Sequence, residues 1–325
     1  MKVLVVGGAG YIGSHMVKML LDSGNQVVTF DNLSSGFRDA VLGGEFVLGD
    51  LADERAIDAV IRQHQPDAVM HFASYIQVGE SVRSPDKYYQ NNFTNTLNLM
   101  NAMVKHGINH FIFSSTAAVF GEPEYVPIDE SHPKNPVNPY GRSKWMVEQV
   151  LSDYERAYGL KSVCLRYFNA AGADPSGLLG ERHEPETHLI PLVLQAISGR
   201  RENICVFGRD YDTPDGTCIR DYIHIVDLCS AHLLALSNLI KSGISRRYNL
   251  GNGAGFSVQQ VIETAERVTG KSVNVIEGAR RDGDPARLVA DARLAAQELG
   301  WKPVYTDLAN IIQHAWSWEL KVANG

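Results

Sequence analysis

The first 31 residues constrain this chain more than any other segment. An apolar run, Val3–Val6, leads directly into Gly7-Gly8-Ala9-Gly10-Tyr11-Ile12-Gly13, and a second run, Gln26–Phe30, ends at Asp31. Short apolar runs bounded by glycine predict buried strands, and the glycine segment predicts a tight turn that opens a helix. Gly7 permits the turn, Gly10 lets the backbone approach a ligand, and Gly13 lets the helix pack closely on the strand.

This strand, glycine loop and helix predict a dinucleotide site. The amides at the start of the helix face an anion, so a pyrophosphate is expected there. Asp31, at the end of the second strand, can accept hydrogen bonds from the adenosine ribose hydroxyls and would repel a 2′-phosphate. The sequence therefore predicts NAD as the cofactor in preference to NADP.

Apolar runs alternate with helical patterns through the first half of the chain. Further strands are expected at Phe46–Leu48, Ala68–Phe72, Phe111–Ser114 and Ser162–Tyr167. Apolar residues at helical spacing predict one amphipathic helix from Pro85 to Gly107 and a second from Tyr140 to Gly159. Such alternation predicts an α/β protein with a doubly wound parallel sheet, the Rossmann arrangement.

The local composition changes after about residue 170, where Gly/Pro-rich loops separate shorter predicted helices and strands. We therefore expect a dinucleotide-binding domain over 1–170 and a smaller α/β substrate domain over 171–325, with a segment near 220–236 returning to the first domain.

Composition excludes several classes of partner. The chain has 325 residues, 44% of them apolar, and a net charge of -7, which disfavours a nucleic acid or an acidic membrane surface. Its four cysteines lack paired spacing, as expected of reduced thiols. The N-terminal apolar run is too short for a membrane span and has no cleavage pattern, so we expect a soluble protein in the cytoplasm.

A second motif supplies candidate catalytic groups. Tyr140 and Lys144 are four residues apart, which places a phenol and an ammonium on one face of a helix. Lys144 and the positive nicotinamide of bound NAD would both favour the phenolate, so Tyr140 is the candidate base. Thr116 ends a predicted strand at the edge where ligands bind, and it can share a proton with Tyr140.

Taken in order, these stretches resemble the extended short-chain dehydrogenase/reductase family and, within it, the UDP-sugar 4-epimerases. The resemblance runs through nearly the whole chain, in stretches Gly7 to Gly13, Asp31, 49–51, 71–73, 114–116, 140–144, 166–169, 206–211, 215–217, 220–224 and 280–284. It implies interconversion of UDP-galactose and UDP-glucose through a 4-keto sugar, with NAD retained throughout and Tyr140 exchanging the proton of the 4-hydroxyl.

The resemblance also implies roles for individual residues. Those expected to bind the cofactor are Gly7, Gly10, Tyr11, Ile12, Gly13, Asp31, Asn32, Asp50, Leu51, Phe72, Ala73, Asn91, Ser114, Tyr140, Lys144 and Tyr167. Those expected to bind the UDP-sugar are Thr116, Tyr140, Asn169, His188, Leu189, Phe207, Arg220, Arg281, Asp284 and Leu288. Arginines suit a diphosphate because their forked donors bind its oxygens in pairs.

Four positions depart from the family pattern. Ala170 replaces a proline common after the Tyr-Phe-Asn run and His188 an asparagine, so the sugar-facing loop is expected to differ in detail. Ile76 stands where several members carry a lysine near the cofactor phosphates, so retention of NAD would depend more on other groups. Leu288 stands where sugar-restricted members carry a tyrosine, which leaves room for an N-acetyl group at carbon 2 and implies that N-acetylated UDP-hexosamines are accepted.

Other functions remain open from the sequence. UDP-pentose and UDP-uronate 4-epimerases share these motifs, as do NAD-dependent dehydrogenases that release NADH. Sugar-nucleotide dehydratases and decarboxylases need an acidic residue beside the strand-end hydroxyl, whereas Ala117 and Ala118 follow Thr116. A protein that only senses NAD would not need Thr116, Tyr140 and Lys144 together.

Two further expectations concern metals and assembly. The segment His183-Glu184-Pro185-Glu186-Thr187-His188 lacks the i, i+4 histidines of a zinc-binding helix, so no metal site is expected and the segment is interpreted as a substrate-side loop. The two amphipathic helices have apolar faces wide enough to pack against a second copy, as relatives commonly do, and we expect a homodimer.

Overall fold

The structure is a computed structural model that describes residues 1–281 and 284–324. Its strands are β1 Lys2–Val6, β2 Gln26–Asp31, β3 Glu45–Leu48, β4 Ala68–His71, β5 His110–Ser114, β6 Lys161–Tyr167, β7 Asn169–Ala171, β8 Ile204–Phe207, β9 Ile219–Arg220, β10 Tyr222–His224, β11 Arg246–Leu250, β12 Phe256–Ser257, β13 Val275–Gly278 and β14 Arg287–Leu288. Its α-helices are α1 Tyr11–Asp22, α2 Glu54–His64, α3 Val78–Arg83, α4 Pro85–Tyr88, α5 Asn95–Lys105, α6 Pro139–Tyr158, α7 Leu189–Ser198, α8 Ile225–Ser242, α9 Val258–Thr269, α10 Arg293–Leu299 and α11 Leu308–Asn324.

Seven strands form one parallel sheet in the order β11-β6-β5-β4-β1-β2-β3. The chain order reverses beside β1, which lies between β2 and β4, and this reversal opens a crevice at the carboxyl ends of the strands. The predicted doubly wound parallel sheet is confirmed. Its strand bounds differ from the predicted ones by a residue at several ends, and the edge strand β11 was not predicted.

Helices cover both faces of this sheet, as the pattern of buried residues requires. On one face Val3 and Val5 pack with α1 and α8, and on the other Leu4 and Val6 pack with α2, α5 and α6. Helix α8 is long and apolar enough, by length and composition alone, to cross a membrane. One face of it, from Ile225 to Leu239, packs in the core beside α1, whereas Leu234 and Ile240 are exposed.

The two predicted amphipathic helices are present. Helix α6 begins at Pro139 and ends before Gly159, as expected. The helix predicted after Pro85 consists of α4, a π-helical stretch Tyr89–Thr94 and α5. Asn92 lies fully buried in that stretch, and its side chain exchanges two hydrogen bonds of 2.9 Å with the backbone of Tyr75. The sequence pattern could not reveal the π turn because its apolar spacing stays close to that of an α-helix.

The later part of the chain forms a smaller α/β layer of short strands. Strands β7 and β10 pair, β9 lies between β12 and β14, and β8 pairs with β13. Helices α7, α9 and α11 share one core. Helix α8, strand β11 and Trp301 lie in the core of the large sheet instead, so the later chain returns to it. The boundary at residue 170 stays a prediction.

One buried ion pair joins α6 to the sheet. The Glu148 carboxylate, with no exposed surface, accepts hydrogen bonds from Arg166 Nε at 2.9 Å and Nη2 at 2.6 Å. It also accepts one from Ser115 Oγ at 2.6 Å. Glu148 therefore connects α6 to strand β6 and to the residue that follows β5.

Glu148→Ala should lower the free energy of unfolding by about 3–5 kcal/mol, because it leaves the Arg166 guanidinium buried without its partner. Asp153→Ala, on the same helix, removes an exposed pair with Arg156 and should cost less than about 1 kcal/mol. Urea unfolding followed by circular dichroism measures both. Equal effects of the two substitutions would contradict the structural role given to Glu148.

Candidate active site

The glycine loop is built as the sequence predicts. A Cβ on Gly13 would lie 2.0 Å from the Gly7 carbonyl oxygen, and one on Gly7, whose φ is +79°, would lie 2.4 Å from the Ala73 amide nitrogen. A Cβ on Gly10 would meet only the Gly7 oxygen, at 3.5 Å. Gly7 and Gly13 are therefore required by the packing of the protein itself, whereas Gly10 leaves space on the ligand side.

The start of α1 suits an anion. Among the described residues no side chain caps this helix at Gly10, so its first amides face the crevice with their positive ends. The side chain of Tyr11 points away from this position, because its hydroxyl donates a 2.7 Å hydrogen bond to the carbonyl oxygen of Gly172. Only the backbone of Tyr11 and Ile12 is then placed to meet a phosphate.

Asp31 is nearly buried beside the loop. Its carboxylate accepts hydrogen bonds from the amides of Ala9 at 2.9 Å and Leu33 at 2.8 Å, while burial raises its pKa. A carboxylate has about four lone-pair sites, so two remain for ribose hydroxyls. Asn32 beside it donates to the Asp50 carboxylate at 2.7 Å, which brings two further predicted cofactor residues together.

Other predicted cofactor residues lie near the ends of β3 and β4 and in the segment before α5. Leu51 is buried after β3, and Phe72 follows β4 with its ring 5.1 Å from that of His232. The Asn91 amide donates to the Asn92 side-chain oxygen at 3.0 Å. Ile76 is exposed.

Helix α6 carries both Tyr140 and Lys144. It begins where the Asn138 side chain accepts a 2.8 Å hydrogen bond from the Gly141 amide. The Lys144 ammonium, 2% exposed, donates to Ser74 Oγ at 2.6 Å and to the Ser114 carbonyl oxygen at 2.9 Å. Lys144 is therefore held against the ends of β4 and β5, and Ser74, which sequence reasoning missed, fixes its position.

Burial governs the ionisation of both residues. It lowers the pKa of Lys144 to about 7. It raises the pKa of Tyr140, and a hydrogen bond from Thr116 opposes that rise only in part. The protein alone thus does not acidify Tyr140, contrary to the expectation from the YxxxK spacing, which ignored desolvation. The expected acidification depends on a further positive charge in the crevice.

The strand-end hydroxyls lie beside this pair. Thr116 Oγ1 accepts a 3.1 Å hydrogen bond from the Ala118 amide and so caps the 3-10 turn Ala117–Val119. Ser114 and Tyr167 are joined by a hydroxyl–hydroxyl hydrogen bond at the ends of β5 and β6. Thr116 consequently serves the backbone and Tyr140 at once.

Several predicted substrate residues already have partners in the protein. Arg220 donates to the carbonyl oxygens of Ile219 at 2.8 Å and Pro285 at 2.9 Å, and it forms an ion pair with Asp284. The Arg281 guanidinium lies 3.9 Å from the centre of the Phe207 ring. Asp282 and Gly283, in the same quoted stretch, lie outside the described residues.

The remaining substrate candidates lie on neighbouring elements. Asn169 begins β7 and donates a 3.0 Å hydrogen bond to the Asp221 carbonyl oxygen. Leu288 is paired with Arg220 across β14 and β9. Leu189 begins α7, and His188, just before it, is hydrogen-bonded to Glu181. The helical spacing rule did not reveal the contact between His188 and Glu181, because this segment is a loop.

The fold and these side chains together define a dinucleotide-binding enzyme with a tyrosine and a buried lysine beside the strand ends. Residues 3–251 match the model of the NAD dependent epimerase/dehydratase family. The chain belongs to this family.

Individual proteins are similar over almost their whole length. The UDP-glucose 4-epimerase of Halalkalibacterium halodurans is 50% identical over 325 residues, covering 100% of this chain and 97% of the relative. The crystal structure of UDP-glucose 4-epimerase from Brucella ovis in complex with NAD has 50% identity, a TM-score of 0.95 and 97% coverage of both chains. That of the UDP-Glc/GlcNAc 4-epimerase from Campylobacter jejuni has 43% identity, a TM-score of 0.87, and coverage of 98% and 99%.

Proposed function

We propose that the chain is an NAD-dependent UDP-sugar 4-epimerase that interconverts UDP-glucose and UDP-galactose. The observation that carries this proposal is the full-length 50% identity with a UDP-glucose 4-epimerase, combined with Thr116, Tyr140 and Lys144 at one crevice. NAD fits the protein because the loop leaves open the space at Gly10 and the amides of α1 face it.

NAD would lie along the glycine loop, with Asp31 at its adenosine ribose and Lys144 and Tyr167 at its nicotinamide end. When bound, it supplies reversible hydride transfer at carbon 4 of the sugar. The chain contributes position and proton transfer: Tyr140 takes and returns the 4-hydroxyl proton, and Thr116 relays it. The positive charge of the bound cofactor would act against the burial that raises the Tyr140 pKa.

On the substrate side, Arg220 and Arg281 would hold the diphosphate, and Asp284 the uridine ribose. The ion pair between Arg220 and Asp284 keeps both side chains extended toward the same space before substrate arrives. Phe207, under the Arg281 guanidinium, restricts that side chain. Asn169, His188, Leu189 and Leu288 complete the proposed contacts.

Tyr140→Phe should reduce turnover by about 10²–10⁴-fold, because it removes the proton acceptor and keeps the ring. NAD should remain bound at the wild-type stoichiometry. Turnover is measured by chromatographic separation of UDP-galactose and UDP-glucose with no added NAD, and NAD content by absorbance after denaturation. Full activity in this variant would remove Tyr140 from the mechanism.

The same assay separates the competing functions. An epimerase forms UDP-glucose with no accumulating NADH, a dehydrogenase consumes NAD stoichiometrically, and a sensor does neither. The dehydratase alternative is not favoured, because the residues after Thr116 are the alanines of a 3-10 turn and provide no acid. UDP-pentoses and UDP-uronates belong in the substrate panel, since they too are 4-epimerase substrates.

We expect the enzyme also to epimerise UDP-N-acetylglucosamine. Leu288 is only partly buried, where it packs against the cluster of Ala117, Val119, Phe120 and Ile128, and it is smaller than the tyrosine of sugar-restricted members. The Campylobacter jejuni relative is named for both sugar types. Leu288→Tyr should lower kcat/KM for the N-acetylated pair at least tenfold and leave the glucose pair within a few-fold, a selective loss of about 1.4 kcal/mol or more. Wild-type protein with no turnover of the N-acetylated pair would refute this expectation.

The protein is further proposed to be a cytoplasmic homodimer. Leu97 on α5 and Val150 and Tyr154 on α6 are only partly covered, and they lie on two helices that pack on the same face of the sheet. Packing of two such helix pairs would make a four-helix interface. Light scattering should therefore give twice the 35.8 kDa chain mass, and the mass of a single chain would contradict the dimer.

A further inference from the structure

Four potential metal ligands converge in the loop that precedes α7. Glu181, His183, Glu186 and His188 each offer one ligand atom, and all four atoms lie within 4.8 Å of one another. The two carboxylates are 5% exposed, whereas the imidazoles of His183 and His188 are 20% and 41% exposed. The two carboxylates are thus buried, whereas the two imidazoles are partly exposed to solvent.

The distances from His183 to the two carboxylates are those of a tetrahedral site. Ligand atoms about 2.0–2.1 Å from a central Zn²⁺ lie about 3.3–3.4 Å from one another. The His183 Nδ1 atom is 3.3 Å from Glu181 Oε1 and 3.4 Å from Glu186 Oε2. His188 Nδ1 is hydrogen-bonded to Glu181 and lies 3.9 Å from the other Glu186 oxygen, so the partly exposed His188 ring would have to rotate to join the same ion.

Neighbouring groups hold the ligands in place. Glu186 Oε1 accepts hydrogen bonds from the amides of Thr187 at 2.7 Å and His188 at 2.9 Å, which leaves Oε2 toward His183. The carbonyl oxygen of Glu181 accepts a 3.0 Å hydrogen bond from the indole nitrogen of Trp318. The same indole packs so closely on Gly180 that a Cβ there would overlap it. Such outer contacts are typical of residues that orient metal ligands.

Charge also favours a divalent cation. Two carboxylates and two neutral imidazoles around one M²⁺ are electrically neutral, and nitrogen with oxygen ligands suits zinc and related transition metals.

We propose that Glu181, His183, Glu186 and His188 form a structural site for one zinc-like divalent cation. It shares His188 with the proposed substrate contacts and so borders the substrate side, but it takes no part in the proton transfer assigned above. The earlier expectation of no metal rested on the spacing of ligands along a helix. That rule does not apply to this segment, whose ligands converge through a turn.

The cation would fix the contact between the cofactor loop and the proposed substrate side. Arg182, between two ligands, pairs with Asp39 and lies 3.5 Å over the Phe37 ring, and the Phe37 amide binds the Ala9 carbonyl oxygen of the glycine loop. The His183 ring meets the edge of Tyr11 with ring centres 6.2 Å apart. At its other end the segment leads directly into α7.

The test is zinc binding by the purified full-length holoenzyme after dialysis against a chelator. We expect one equivalent of Zn²⁺ to remain after gel filtration, and Co²⁺ in its place to give the visible absorption bands of a tetrahedral site. His183→Gln and Glu186→Gln should each weaken zinc binding at least about tenfold. Glutamine at 186 keeps the acceptor oxygen for the loop amides, so that variant separates lost coordination from lost folding. His110→Gln, which alters a histidine distant in sequence and bound to a backbone carbonyl, is the control for adventitious binding.

A second readout is thermal unfolding with and without one equivalent of zinc. The wild type and His110→Gln should be stabilised, whereas the two ligand variants should not. If the wild type retains less than one equivalent of zinc, the four side chains form only a hydrogen-bonded cluster without a metal. That result would overturn the proposal. Unchanged zinc affinity in both ligand variants would overturn it as well. Epimerase activity is not the readout, so the proposed function can fail or stand independently.

Discussion

The buried contact between Glu148 and Arg166 determines where the reactive side chains can lie. Tyr140, Lys144 and Glu148 follow one another at intervals of four residues along α6, so they share one face of the helix. Glu148 binds Ser115, at the end of β5, and Arg166 of β6. Because this contact fixes the helix against two strand ends, Lys144 one turn earlier meets the Ser114 carbonyl oxygen, and Tyr140 another turn earlier meets Thr116.

The same arrangement explains why Lys144 can be buried at all. An ammonium taken out of water needs acceptors, and the carbonyl of Ser114 and the hydroxyl of Ser74 provide two at hydrogen-bond distance. They do not fully replace water, so the pKa falls to about 7. The unfolded chain keeps this proton up to about pH 10.4. Unfolding therefore takes up a proton between about pH 7 and 10, and through this group the folded state gains stability as pH rises in that interval.

Much of the fold followed from the sequence because its determinants are local. A side chain at position 7 or 13 would not fit, so these positions require glycine. The strands β1, β2, β4, β5 and β6 are short and mostly apolar, so their burial is evident from the sequence. The apolar pattern did not predict strand β11, because its first two residues are Arg246 and Arg247. Their guanidinium groups reach Glu298 and Ser152, contacts between residues far apart in sequence.

The candidate site was predictable in its residue types and less so in its electrostatics. Spacing placed Tyr140 and Lys144 on one face, yet burial, which depends on the whole fold, reversed the expected pKa of the phenol. The pairing of Arg220 with Asp284 likewise joins β9 to a loop sixty-four residues later. In the proposed function, a substrate diphosphate would compete with that carboxylate for the guanidinium. Since Arg220 also donates to the carbonyls of Ile219 and Pro285, the arginine would stay in place during that exchange and Asp284 would be free to accept hydroxyl groups.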